Sequence, residues 1–177
     1  MTPESARLMA AYNRWMNQQV YSAAATLDDE ALHSDRGAFF GSIAQTLNHI
    51  AAGDTVWLHR FSQHVDASAL CQALADHPAP TSTRQAMGTS FADLRRRRIA
   101  LDDVIVHWAG TLTEAQLDEM LAYRNMAGDP FVRPWRQAVL HFFNHQTHHR
   151  GQASTLLFQA GVDVGVTDLI ALPDKEA

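Results

Sequence analysis

Cysteine is nearly absent from this sequence, and other features that would define a class of protein are missing as well. The 177 residues contain one cysteine, Cys71, so no intrachain disulfide can form. No apolar run approaches the roughly 20 residues that a membrane-spanning helix needs. The first residues lack a basic segment followed by an apolar one, so no secretory signal is visible. These absences predict a cytoplasmic protein that does not bind membranes.

An excess of positive charge is also missing. The formal net charge is −5 and the pI is near 6.0, which gives no electrostatic basis for binding nucleic acid. The only basic run is Arg95–Arg98. On a helix, four successive residues point in four directions, so they cannot form one basic stripe. We interpret this run as a solvated helix surface paired with acidic residues, and we expect no nucleic-acid partner.

Helical periodicity is the dominant pattern that the sequence does contain. Long amphipathic helices are predicted to begin at Pro3, at Ser42, which has capping-box spacing, and at Pro134. The last helix should stop near Gly161. Another long helix follows residues 66–82, which have the composition of a connection. The apolar faces predicted for the first and third of the long helices are Met9, Tyr12, Met16, Ala23 and Leu27, and Phe91, Leu94, Leu101, Ile105 and Trp108.

A stretch without helical periodicity precedes the last helix. A short helix is predicted at Thr113, which begins a second capping-box pattern. Tyr123–Asn125 and Phe131–Arg133 then flank a turn that contains Gly128, which predicts a β-hairpin. Four long helices of similar length indicate an all-α protein, a four-helix bundle with a short hairpin insertion before the last helix. The length fits one domain over residues 1–177.

Two of the ten histidines stand out by their spacing. His145 and His149 are four residues apart on the last predicted helix, so both project from one side of it. At about 100° per residue, His149 falls near the centre of the apolar stripe and His145 about 60° to one side. A buried imidazole needs a partner. The two could each bond to a backbone carbonyl or a carboxylate, but their spacing favours a shared metal ion.

A metal site needs at least a third ligand, and His49 is the best candidate. Periodicity does not single it out, because the apolar stripe of its helix is centred about 120° away. His49 instead lies beside Ala52 and Gly53, where a neighbouring helix could approach closely. Asp54 lies within the apolar stripe, and three roles stay open for it: orienting a ligand imidazole, binding the metal, or pairing with an arginine.

Taken together, these segments resemble the DinB family of metal-binding four-helix bundles, which is distinct from the translesion polymerase that shares the name. The resemblance covers nearly the whole chain. The segments that carry it are Tyr12–Asn17, Phe39–Ile43, Leu47–Ile50, Asp54 with Trp57, Tyr123–Asn125, Asn144–Gln152 and Gly161–Leu169. The resemblance implies an up-down-down-up bundle and a metal triad of His49, His145 and His149, with His148 outside it. It further implies a homodimer and a divalent ion, zinc or nickel.

The resemblance and the metal site together predict a metal-dependent enzyme that acts on a small molecule. Three neutral imidazoles leave the ion its full charge, so it can lower the pKa of a bound water or thiol. Group transfer that depends on a low-molecular-weight thiol is the best-defined reaction. A metal-dependent hydrolase and a non-catalytic metal-binding stress-response protein are the alternatives. Arg150 is the candidate to bind an anionic substrate or a cofactor carboxylate, although it could equally clamp Asp54 or Asp168.

Overall fold

The elements of the fold are described from a computed structural model that covers residues 1–63 and 67–175. In this part of the chain, seven α-helices and one small antiparallel sheet follow one another in the order predicted for a bundle with a late insertion. The elements are α1 (Pro3–Ala24), α2 (Asp29–His33), α3 (Ile43–Phe61), α4 (Ser68–Ala73), α5 (Phe91–Thr111), α6 (Glu114–Leu117), β1 (Met120–Arg124), β2 (Pro130–Pro134) and α7 (Trp135–Gln159), followed by a 3₁₀ turn at Leu169–Ala171.

Hydroxyl side chains begin most of the helices, as the sequence pattern predicted. Thr2 accepts a hydrogen bond from the Ser5 amide at 3.1 Å, and Ser42 accepts one from the Gln45 amide at 3.2 Å. Each of these bonds satisfies a backbone N–H that has no partner within its helix. At the other end, α7 stops before Gly161, whose φ of 80° suits glycine.

The contacts between the four long helices give their directions. Helix α1 runs antiparallel to α5 and parallel to α7, whereas α3 runs antiparallel to α7 and parallel to α5. The bundle is therefore up-down-down-up, as the family resemblance implied. The contacts that fix these directions are Asn17–Asp102 and Arg95–Ser22 for α1 and α5, Arg150–Asn13 and Arg136–Met1 for α1 and α7, Trp57–His141 and Phe61–Trp135 for α3 and α7, and Asp54–Arg98 and Phe61–Trp108 for α3 and α5.

The predicted hairpin is confirmed, with strands longer than expected. Its pairs run from Met120 opposite Pro134 to Arg124 opposite Pro130, while Asn125 lies in the turn. The connection expected at 66–82 is interrupted by helix α4, because Leu70 and the following Leu74 pack into the core. Asp66 itself lies outside the described residues. None of the described helices is long and apolar enough to cross a membrane.

The buried faces of α1 and α5 contain more polar side chains than apolar periodicity indicated. Helix α1 ends at Ala24, so Leu27 lies beyond it, and the buried face includes Asn13 and Asn17. On α5, Arg98 is only 1% exposed. Our interpretation of the arginine run as a solvated surface is therefore wrong for Arg98. It follows Leu94 by four residues, which places it on the face that packs against the rest of the bundle.

Candidate metal centre

The fold brings the three predicted ligands together. His49 on α3 and His145 and His149 on α7 offer ring nitrogens that all lie within 4.8 Å of one another. The Nε2 atoms of His49 and His145 are 3.2 Å apart. Two imidazole nitrogens on a tetrahedral zinc ion are about 3.3 Å apart, given Zn–N bonds of about 2.0–2.1 Å. The separation therefore suits a shared ion, and it equally suits a hydrogen bond when one of the two nitrogens carries a proton.

Hydrogen bonds on the far side of two of the rings favour the tautomer that binds metal. His49 Nδ1 lies 3.2 Å from the Thr83 carbonyl oxygen, and His149 Nδ1 lies 2.8 Å from Gln152 Oε1. Both oxygens are acceptors, so each Nδ1 carries the proton and donates it. The Nε2 atom of each ring keeps its lone pair. Such an outer partner is the usual companion of a metal-binding histidine, because it fixes the orientation of the ring.

Gly53 explains how α3 comes close enough to the His145 ring. A Cβ atom at this position would lie 2.8 Å from His145 Cε1, closer than real Cβ atoms approach another atom. Any other residue here would push the His145 ring away from its position. A close approach of another helix was expected next to His49, and this contact confirms it.

Thr83 belongs to an irregular segment that Asn48 fastens to α3. Asn48 Nδ2 donates to the Gln85 carbonyl oxygen at 2.8 Å, and the Met87 amide donates to Asn48 Oδ1 at 2.7 Å. The residue just before His49 therefore holds the segment that orients the His49 ring. Sequence reasoning missed Thr83, because it lies 34 residues from His49 in a segment without periodicity.

Phe40 covers two of the imidazoles and was also missed as a site residue. Its ring stacks on His49 with a centroid distance of 4.0 Å and an interplanar angle of 21°. The same ring meets His149 edge to face at 5.4 Å. Phe40 is itself buried. It therefore packs the His49 and His149 rings from one side and restricts how they can turn.

All three imidazoles are neutral at physiological pH. Burial and the neighbouring His149 and His49 lower the pKa of His145 to about 3. Burial also lowers the pKa of His49, where His149 and Arg84 act in the same direction, and it lowers the pKa of His149. A metal ion competes with protons for histidine nitrogens, so low pKa values keep the ligands available.

The buried face of α7 is turned away from the histidines more than predicted. His145 and His149 are half-buried, whereas Gln146 and Arg150 lie in the middle of the buried face. His149 is thus not at the centre of that face as expected. The prediction counted apolar residues only, and two buried polar residues shift the centre. His148 is exposed and lies outside the cluster, as the family resemblance implied.

The two charged residues that sequence reasoning left open both have partners in the core. Arg98 Nη1 donates to Asp54 Oδ2 at 2.5 Å, so Asp54 takes the arginine-paired role. Arg150 donates to Asn13 Oδ1 and its guanidinium lies 5.4 Å from the centroid of the Tyr12 ring. Arg150 is 4% exposed. Its binding of a substrate or cofactor anion stays a prediction.

A cleft adjoins His49 and is here named the His49 cleft. Its volume is about 450 Å³, which is the size of pocket that holds a small molecule. Residues that line it include Phe40, Gln45, His49, Thr83, Arg84 and Thr89. The cleft borders the candidate metal centre at His49, whereas neither His145 nor His149 lines it.

The chain is similar in sequence to known proteins. The DinB family model matches residues 1–176. Protein DinB from Bacillus subtilis (strain 168) is 28% identical over 159 residues, which cover 89% of this chain and 87% of that protein. A crystal structure of a DinB-like protein from Bacillus cereus ATCC 10987 is 22% identical; the alignment covers 85% of this chain and 89% of that chain, with a TM-score of 0.49.

Proposed function

The chain belongs to the DinB family, and we propose that it binds one divalent metal ion through His49, His145 and His149 and uses it to transform a small molecule. The observation that carries the proposal is the convergence of the three rings, with two of them held by outer hydrogen bonds. Single core histidines satisfied one by one would not need donor atoms this close together. The all-imidazole donor set suits zinc or nickel, and we propose one of these as the ion.

The neighbouring side chains support a reactive site over a structural one. When bound, the ion supplies a Lewis acid that lowers the pKa of a coordinated thiol or water. Thr83 and Gln152 fix two of the rings, Phe40 packs them from one side, and the His49 cleft shares His49 with the candidate site. The large hydrophobic core lies outside the histidine cluster, so we expect the protein to fold without the ion. Closed sites that are needed for folding are built differently, with four protein ligands.

Thiol-dependent group transfer is the reaction that fits the surroundings best. Among the described residues that line the His49 cleft, none is Asp or Glu, so the cleft offers no carboxylate as a general base for hydrolysis. The one cysteine, Cys71, is exposed and donates to the Ser62 carbonyl oxygen, away from the histidines. The thiol must therefore come from a small cosubstrate. A small-molecule substrate and a homodimer remain our predictions for its partners.

Elemental analysis of the untagged protein, purified without chelator, tests the metal site. We expect about one zinc or nickel ion per chain, and loss of that ion in His49→Ala and in His145→Ala. His148→Ala removes an exposed imidazole from the same helix and should keep the metal. A wild-type protein that is free of metal and also refuses added zinc and nickel would overturn the proposal.

A screen of small thiols with electrophilic acceptors then tests catalysis. We expect thiol consumption that depends on the wild-type protein and disappears with His49→Ala but not with His148→Ala. A protein that holds its metal and yet shows the same rate as the free ion would contradict the enzymatic role. The metal-binding stress-response protein would then be the better interpretation.

A further inference from the structure

The His49 cleft has an unusual charge for this protein. The chain carries a formal net charge of −5, yet none of the fourteen described residues that line the cleft is Asp or Glu. One of them, Arg84, carries a permanent positive charge. Asp93 lies just behind the lining, where it accepts a hydrogen bond from Thr89, but its charge is paired with Arg96. Asp29 likewise lies outside the lining, 3.4 Å from His33 Nδ1. Within the lining the only permanent charge is therefore positive, which favours anions.

Arg84 is an exposed residue whose guanidinium lies near the aromatic ring that packs on His49. Its guanidinium carbon lies 5.7 Å from the centroid of the Phe40 ring, on which His49 stacks in turn. Phe39 lies at the same distance from this carbon. Within residues 1–63 and 67–175 the guanidinium makes no ion pair.

Other groups in the cleft divide between those already used and those available to a ligand. Both ends of the Asn48 side-chain amide are hydrogen-bonded to the backbone of residues 85 and 87. The Gln45 amide is exposed and the Ser90 hydroxyl caps α5. Arg84 is thus the one group in the lining that presents a full, uncompensated charge. A planar guanidinium matches a carboxylate through two parallel hydrogen bonds.

We propose that the His49 cleft binds a small organic carboxylate, whose carboxylate group pairs with Arg84 while its other end reaches the metal at the three histidines. The proposal rests on the proposed function, because it needs the ion. A cleft of about 450 Å³ is of a size that suits a small ligand. Arg84, which no sequence pattern singled out, would then select the substrate.

Cobalt(II) in place of the native ion makes both parts of the proposal visible. The visible bands of cobalt report whether the three histidines hold an ion, and a thiolate bound to cobalt adds a charge-transfer band. We would titrate 3-mercaptopropionate and its neutral isostere 3-mercaptopropionamide into cobalt-loaded wild type, Arg84→Gln and Arg7→Gln. Arg7 is an exposed residue of α1, so its variant is a control for the loss of one positive charge.

We expect wild type and Arg7→Gln to prefer the carboxylate over the amide by about five- to tenfold more than Arg84→Gln does. Comparing the ratio between proteins cancels the different acidities of the two thiols. The same ratio in all three proteins would overturn the role of Arg84 while leaving the metal site intact. A wild type that shows no cobalt bands would overturn the proposed function, and this proposal with it.

Discussion

Two clusters of polar side chains in this bundle handle charge in opposite ways. One lies in the core between the long helices and contains Asp54, Arg98, Asp102 and Arg150; we name it the core network. The other contains His49, His145 and His149, with the His49 cleft beside it. The first compensates its own charges, and the second leaves its donors for a ligand. The comparison separates buried polarity that stabilises the fold from buried polarity that can perform a function.

The core network balances its formal charges within itself. Its two carboxylates and two guanidiniums are each at most 4% exposed, and their formal charges cancel. Arg98 lies 2.5 Å from Asp54 and 3.0 Å from Asp102, and Asn17 donates to Asp102 at 2.8 Å. Burial alone would lower the pKa of Arg98, but the two carboxylates raise it above its ordinary value. A cation held this way has no charge left for a ligand.

The histidine cluster, by contrast, leaves donor atoms and a nearby charge for a ligand. Its rings are neutral, two of them have their protons turned outward to Thr83 and Gln152, and the nearby Arg84 has no counterion in the described chain. Adding a divalent cation and an anion would satisfy what the protein leaves open. The two clusters therefore predict opposite responses to substitution. Changes in the core network should cost stability, and changes at the histidines should cost metal binding.

Replacing Arg98 should produce the largest loss of stability. Arg98→Ala leaves Asp54 and Asp102 buried with one cation fewer, so we expect the free energy of unfolding to fall by about 3–5 kcal/mol. Urea denaturation of the metal-free protein measures it. The exposed neighbour Arg96 is the matched control, and Arg96→Ala should cost about 0.5 kcal/mol or less. In the same assay His145→Ala should cost about 1 kcal/mol. Equal losses for Arg98→Ala and His145→Ala would erase the proposed difference between the clusters.

Replacing Gln152 should weaken metal binding and leave stability almost unchanged. Gln152→Leu keeps the size of the side chain but removes the acceptor for His149 Nδ1, so the ring loses its fixed orientation. We expect about a tenfold loss of zinc affinity, measured by competition with a chromogenic chelator. Gln137 is exposed on the same helix, so Gln137→Leu is the control and should bind zinc like wild type. Unchanged affinity in Gln152→Leu would mean that His149 is oriented by packing alone.

The fold could be predicted from the sequence because its signals are local. Hydroxyl residues such as Thr2 and Ser42 mark helix starts through bonds within four residues, and Gly161 marks a stop in the same way. The hairpin followed from a turn flanked by β-forming residues. Helix α4 was not predicted, because its position depends on the burial of Leu70 and Leu74 in the core. The burial of Arg98 was not predicted for the same reason, because its counterion Asp54 lies 44 residues away.

The candidate site was predictable only in part. The spacing of His145 and His149 indicated a pair, and Gly53 agreed with a close helix contact. His49 needed the family resemblance, because its own helix gave it no distinctive position. Thr83, Phe40 and Arg84 come from irregular segments, whose placement depends on contacts such as those of Asn48 rather than on any repeat. These segments shape the surroundings of the site, so the sequence pointed to the three candidate ligands but not to the residues beside them.

The smallest expected effect concerns the pH dependence of the core network. Burial raises the pKa of Asp102 to about 6, although Arg98 and Asn17 act to lower it. In the unfolded chain the pKa of an aspartate is about 3.9. Between these values the native protein binds the proton more tightly than the unfolded chain, so this group stabilises the native state most at low pH. Its contribution is lost as the pH rises through about 6.

We therefore expect the difference in unfolding free energy between wild type and Asp102→Asn to shift against wild type by about 1 kcal/mol from pH 5 to pH 7. The difference is the quantity to measure, because the histidines push the other way. The lowered pKa of His145 contributes stability that is present above about pH 6.5 and is lost as the pH falls. Both proteins contain these histidines, so their effect cancels when metal-free samples are compared by urea denaturation. A difference that does not change with pH would mean that Asp102 stays charged throughout, with Arg98 outweighing burial. The core network would then consist of ion pairs that bind no proton between pH 5 and pH 7, unlike the histidines, which bind protons as the pH falls.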